Sequence, residues 1–178
     1  MKYDITYHVK MDKSVFTRFA LFDTLIRKRA IIRPLVFALI FSIFAIICFI
    51  SGMEQSVLIG TVLLIVGIGL PLVYIGFFLS TVHRQVKLNR LDKPRAVYTV
   101  HLQQSGIFVM NDARKEDPRL TAWENVYRAY LRPHCIYLYA EKDKAFLLPE
   151  GQSSSSLQET WAYLCSRLPA EAVYGKKG

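Results

Sequence analysis

The sequence predicts a membrane α+β protein, a two-helix transmembrane hairpin joined to a small antiparallel β barrel or sandwich that a C-terminal helix caps. Three observations predict it. Residues 34–82 hold a single charged side chain, Glu54. Six short strand-like runs divided by turn signals follow, and a capped amphipathic segment comes after them. At 178 residues the chain allows one domain of ordinary size and excludes a large multidomain enzyme. Its 52% hydrophobic content lies above the usual soluble range of about 45–50% and excludes disorder. Three organisational segments are expected: 1–33, a cytosolic strand and juxtamembrane helix; 34–82, the hairpin; and 83–178, a cytosolic domain.

In the first segment, Tyr3, Ile5, Tyr7 and Val9 alternate as one face of a half-buried strand. A helix follows, with Asp12 or Ser14 as its cap and Val15, Phe16, Phe19, Phe22, Leu25 and Ile26 at helical spacing. Its stripe is expected partly at the lipid surface and partly on the domain.

Pro34–Met53 is a run of 20 residues without a charge, and Gln55–Val82 is a second, longer run. Twenty helical residues span about 30 Å, the thickness of a bilayer's hydrocarbon core, and neither run has the polar face of a soluble helix. A signal peptide is disfavoured because the first run begins about 30 residues into the chain, behind a patterned segment. The short polar turn Ser51–Ser56 makes the two helices antiparallel neighbours. Ala38 and Ser42 in the first helix, and Gly76 and Ser80 in the second, have the spacing of small residues at a helix-packing seam, within the hairpin or between copies. Gly67–Pro71 predicts a kink in the second helix. Neither span holds a charged residue, so a transporter site has no candidates.

The net charge of +9 is concentrated beside these spans. Arg27, Lys28, Arg29 and Arg33 precede the first, while Arg84, Lys87, Arg90, Lys93 and Arg95, offset by Asp92, follow the second. Residues 96–178 are nearly balanced, at +1. Both termini are therefore expected in the cytoplasm, with Glu54 outside. Arg27, Lys28, Arg29, Arg33, Arg84, Lys87 and Arg90 are candidate contacts to lipid headgroups. Nucleic-acid binding is not expected, since it would need a basic face on the domain itself.

Beyond the spans, strands are expected over 96–102, 106–110, 120–123, 126–131, 136–140 and 145–148, with a charged loop over 111–118. Ser156 and Glu159 form a capping box for a final helix whose apolar face is Leu157, Trp161, Leu164, Cys165 and Leu168, and Pro169 ends it.

The order Ser105-Gly106-Ile107-Phe108, Trp123-Glu124-Asn125-Val126, Ile136-Tyr137-Leu138-Tyr139 and Phe146-Leu147-Leu148-Pro149 before a helix resembles the YcxB-like family. The resemblance includes the N-terminal strand and the hairpin, and it implies a small bacterial inner-membrane protein with a cytosolic domain similar to a pleckstrin-homology barrel. The chain departs from that pattern after Pro149, where Glu150-Gly151-Gln152 stands in place of a basic residue. Such a domain invites a phosphoinositide site in its first hairpin, but Gln103-Gln104-Ser105-Gly106 carries no Lys or Arg.

No catalytic, cofactor-binding or metal residues are predicted. His8, His83, His101 and His134 are scattered, no phosphate-binding or nucleophile motif occurs, and His134 and Cys135 would point to opposite faces of a strand. Cys48, Cys135 and Cys165 suggest neither a disulfide framework nor a zinc finger. Tyr127, Tyr130, Tyr137 and Tyr139 are the richer signal, and Tyr127, Tyr137 and Tyr139 are expected to form a partner surface. The expected function is non-enzymatic binding of a protein partner, a toxin or effector, through the tethered domain, the hairpin or both, as an immunity protein that neutralises a membrane-acting toxin. Membrane lipids are further partners, homo-oligomers are compatible with the packing motifs, and a lipid-sensing regulatory module is the alternative.

The topology predicts that, in a variant otherwise lacking cysteine, an impermeant thiol reagent labels Glu54→Cys on intact cells but reaches Gln104→Cys only after permeabilisation. The reverse pattern would contradict it.

Overall fold

The computed structural model describes residues 5–52, 54–111 and 119–175, so Tyr3, Met53 and the loop residues 112–118 of the sequence reading lie outside the described residues. The chain folds as two compact units, one made of residues up to Val15 together with those from Lys93 onward, the other of Phe16–Asp92.

The first unit is built on two four-stranded sheets. Strands β1 (Ile5–Met11), β2 (Arg95–Gln103), β3 (Gly106–Asn111) and β4 (Arg119–Thr121) form an antiparallel meander in that order. In the second sheet, β5 (Arg128–Arg132), β6 (Cys135–Glu141) and β7 (Lys144–Pro149) form another meander, and β8 (Val173–Tyr174) lies parallel to β5 at its far edge. The second sheet is thus mixed rather than wholly antiparallel. The expected strand at 120–123 is shorter because Trp123–Asn125 makes a 3₁₀ turn, held by the Trp123 indole N–H donating to the Gln103 carbonyl at 3.0 Å.

Alternation sends Ile5, Tyr7, Val9, Val100, Leu102, Ile107, Ala129, Ile136, Leu138 and Leu148 into one core, to which the C-terminal helix α4 (Leu157–Arg167) adds Trp161 and Leu164. Ser156 and Glu159 close the capping box in both directions, at 3.2 and 3.0 Å.

Everything between β1 and β2 is an insertion. Met11 pairs with Arg95, so the chain leaves and re-enters the sheet at one place. The first hairpin link of the sheet is therefore residues 12–94, and Gln103–Gly106 is the second. Strand β1 is fastened on its other side as well. His8 N–H donates to the Gln152 carbonyl at 3.1 Å, while the Gln152 side chain accepts from Lys10 N–H at 2.7 Å and donates to Lys10 O at 3.0 Å. Beneath, the buried Tyr7 hydroxyl meets Thr160 Oγ1 at 2.8 Å, and that threonine donates on to the Ser156 carbonyl at 3.0 Å. The Gln152 amide thus substitutes for a strand partner on that side of β1.

In the second unit, helix α1 (Lys13–Leu21), whose first turn belongs to the first unit, has Asp12 Oδ1 as acceptor for Val15 N–H. It runs into a π-helical turn, Phe22–Arg27, which buries Phe22 and leaves Ile26 exposed, so the expected apolar stripe breaks there. Helices α2 (Ile32–Ser51) and α3 (Ser56–Leu88) are both long and apolar enough to cross a membrane. Helix α3 continues through Pro71, and its 33 residues extend about 50 Å. The buried positions of α3 include Ser56, Gly60, Gly67 and Pro71, and α2 buries Ala45. A Cβ on Gly67 would stand 2.8 Å from Phe41 Cβ, and one on Gly60 2.9 Å from the Phe49 ring, so hydrogen at these positions is what lets the helices meet.

Two outcomes are expected. Thr160→Val strips the buried Tyr7 hydroxyl of an acceptor and costs about 1–3 kcal/mol of domain stability, read by denaturant unfolding, and it speeds hydrogen exchange of β1 amides before those of β6. Gly67→Leu separates α2 from α3, read as cysteine cross-linking between them falling relative to wild type; unchanged cross-linking would contradict the seam.

Candidate docking site

The outer face of the second sheet carries the most distinctive side chains. Along β5, Ala129 and Leu131 point to the core, so Arg128, Tyr130 and Arg132 point away from it. Register sets Tyr130 opposite Tyr137 on β6 and beside Tyr174 on β8. The Tyr130 and Tyr174 rings stack at 4.9 Å, and Tyr130 meets Tyr139 edge-on at 5.6 Å. Over this platform lies the Arg128 guanidinium, 4.8 Å from the centre of Tyr127 and 5.2 Å from that of Tyr174. A hydrogen bond with the Tyr130 side chain raises the affinity of Arg128 for its proton.

The placement of the predicted partner surface is corrected in part. Tyr127 is 37% exposed, but Tyr137 and Tyr139 are buried at 4% and 1%, because β6 is an inner strand covered on both faces. Tyr139 supports the platform from below, through Tyr130. Tyr174, 42% exposed, belongs to it and was invisible to the sequence reading, although Ala172-Val173-Tyr174 after Pro169 is the kind of short β-branched and aromatic run that marks a strand.

The other candidates fall as follows. Arg27 is turned inward and paired with Asp23, which Lys28 also approaches at 3.3 Å, so Arg27 does not reach outward as a headgroup contact. Lys28, Arg29, Arg33, Arg84, Lys87 and Arg90 are exposed. Ala38 and Ser42 lie beside Gly67 across the hairpin seam, whereas Gly76 and Ser80 are exposed, with open space around Gly76. The small residues that α3 turns to α2 are Gly60 and Gly67, since the seam follows Ser56, Gly60, Gly67 and Pro71 on one stripe.

An open groove of about 470 Å³ runs between Thr6, His8 and Lys10 of β1 and the segment Gly151–Ser154. Most of its polar groups are spent internally, Thr6 on His101 at 2.9 Å, His8 on Thr99 at 3.3 Å and Gln152 on the Lys10 backbone. His134 pairs with Glu150 at 2.7 Å on the surface. Among the described residues no group of three His, Cys, Asp or Glu could hold a metal ion. Burial pushes the Cys135 thiol up to about 12, and Tyr98, enclosed and bonded to both backbone groups of Leu147, is also raised. No family model, curated protein or solved structure matches this chain.

The two raised groups set an alkaline limit. Folding keeps the Cys135 thiol protonated, so its full contribution is present below pH 9.0 and is lost as the pH rises from there towards about 12. The unfolding midpoint of the purified protein should be level near pH 8 and fall above pH 9, less steeply in Cys135→Ala. A level profile to pH 11 would contradict this.

Proposed function

We propose that this chain is a non-enzymatic, two-span protein of the bacterial inner membrane, with both termini in the cytoplasm, whose pleckstrin-homology-like domain docks a protein partner. The observation that carries the reading is the Tyr127, Arg128 and Tyr174 platform on a domain from which two membrane-length helices emerge as one insertion. Tyrosine and arginine are the side chains that concentrate binding energy at protein interfaces, and ring stacking holds these before any partner arrives. The likeness to a pleckstrin-homology barrel draws on the succession of two meanders and a closing helix.

The membrane reading draws on the outward faces of both helices, where Leu39, Ile43, Ile50, Leu58, Ile65, Leu72 and Phe77 are exposed. Leaving that surface in water would be costly, at about 25 cal/mol per Å² of apolar area. Since α3 extends about 50 Å against a hydrocarbon core of about 30 Å, its last turns, with Arg84 and Lys87, stand in the headgroup region and beyond. The immunity role is the concrete form of the docking reading: a small anchored binder whose spans carry no transport residues would meet a membrane-acting toxin where it works.

Affinity purification from cross-linked native membranes, with mass spectrometry, is expected to recover one protein in near-stoichiometric amount. Recovery of only this chain and lipid would overturn the docking reading. For the immunity role, deleting the gene should make a neighbouring toxin lethal to its own cell; a harmless toxin would exclude that role and leave docking standing.

A further inference from the structure

We propose that the Tyr127–Arg128–Tyr174 cradle reads a carboxylate side chain, an Asp or Glu on an extended acidic segment of the protein partner laid along the outer edge of β8. The proposal rests on the docking reading above and specifies its chemistry.

A guanidinium has two apolar faces and a rim of N–H donors. Here the rings of Tyr127 and Tyr174 lie against the Arg128 guanidinium, while the Tyr130 hydroxyl accepts from one of its N–H groups. Stacking leaves rim donors for a planar, bidentate acceptor, the geometry that suits a carboxylate. Among the described residues no Asp or Glu forms an ion pair with Arg128, and Asp23 and Glu150 are engaged elsewhere. The cation is thus held in place without its natural counter-charge, beside two half-open tyrosines.

The sheet supplies the second element. In the order β7, β6, β5, β8, strand β8 is terminal, and no strand pairs with its outer side among the described residues. An extended segment added there would run beside Tyr174, with alternate side chains facing the platform. The partner is a protein rather than a nucleic acid or lipid surface because residues 96–178 carry a net charge of only +1, so the face offers an oriented guanidinium among rings instead of a basic field.

The test uses the full chain in nanodiscs of neutral phosphatidylcholine and a fluorescein-labelled octapeptide of alternating Glu and Val, with its Gln/Val twin as control, read by anisotropy at low salt. The Glu peptide should bind and the Gln twin should not. Arg128→Gln should weaken binding by about tenfold or more, as should Arg128→Lys, which keeps the charge but loses the fork and the stacking. Arg84→Gln should change nothing, and an unaltered melting profile verifies that each variant is folded. Equal binding of the two peptides, or undiminished binding to Arg128→Gln, would overturn the proposal, as would displacement of the peptide by vesicles containing phosphatidylglycerol. The same variant in the cross-linked purification separates the two readings. A partner recovered equally with wild type and Arg128→Gln refutes carboxylate reading alone, whereas no partner from either refutes docking as well.

Discussion

Strand β1 closes its sheet across an insertion of residues 12–94, and the two-sheet unit depends on that closure. A flexible link so much longer than a hairpin turn would cost roughly 2–3 kcal/mol more to close, from the logarithmic growth of loop entropy. Two features offset it. The insertion is not flexible, since α2 and α3 pack against each other and return the chain near its departure. Strand β1 also buries Ile5, Tyr7 and Val9, each an apolar side chain whose burial contributes about 1.5–3 kcal/mol. Gln152 and Thr160 then fix the strand's register from the side that has no sheet partner. A pair of long apolar helices can therefore be carried inside a two-sheet domain without opening it, and the domain is tied to the helix pair by two chain crossings instead of one.

The platform follows from the same alternation that builds the core. On β5 the small Ala129 and the branched Leu131 face inward, which leaves Arg128 and Tyr130 to the opposite face. Parallel pairing with β8 brings Tyr174 beside Tyr130, and Gly175 follows where a Cβ would stand 2.7 Å from Leu131 Cβ and 2.8 Å from the Trp161 ring. Core packing by Leu131 and Trp161 thus sets where Tyr174 stands, and that ring sets the orientation of Arg128. The aromatic face and the interior that folds share the same short strands.

Much of this architecture is legible in the sequence where one local force dominates. The two apolar runs, the period-two stretches and the Ser156–Glu159 box each specify an element without help from distant residues, and the helices and strands lie close to where those signals put them. The misses arise where distant residues decide. Tyr137 and Tyr139 carry the composition of a surface, but their strand is central and covered on both faces. Arg27 reads as one of four equivalent cations until the π-helical turn brings it onto Asp23. Gly76 has the spacing of a packing motif within the hairpin or between copies, and only the first is set aside, since the rotation of α3 turns Gly60 and Gly67 to α2. Strand β8, two residues long, has too little pattern of its own and exists because β5 offers it an edge.

The central claim is that the Tyr127, Arg128 and Tyr174 face, rather than the spans, makes the primary contact with a protein. Site-specific photo-cross-linking in intact cells tests it most directly, with benzoylphenylalanine placed in turn at Tyr174, at Ile43 on α2 and at Phe77 on α3. The account predicts a discrete protein adduct from position 174 under conditions where positions 43 and 77 give only lipid or diffuse products. A discrete adduct from the spans with none from position 174 would contradict it.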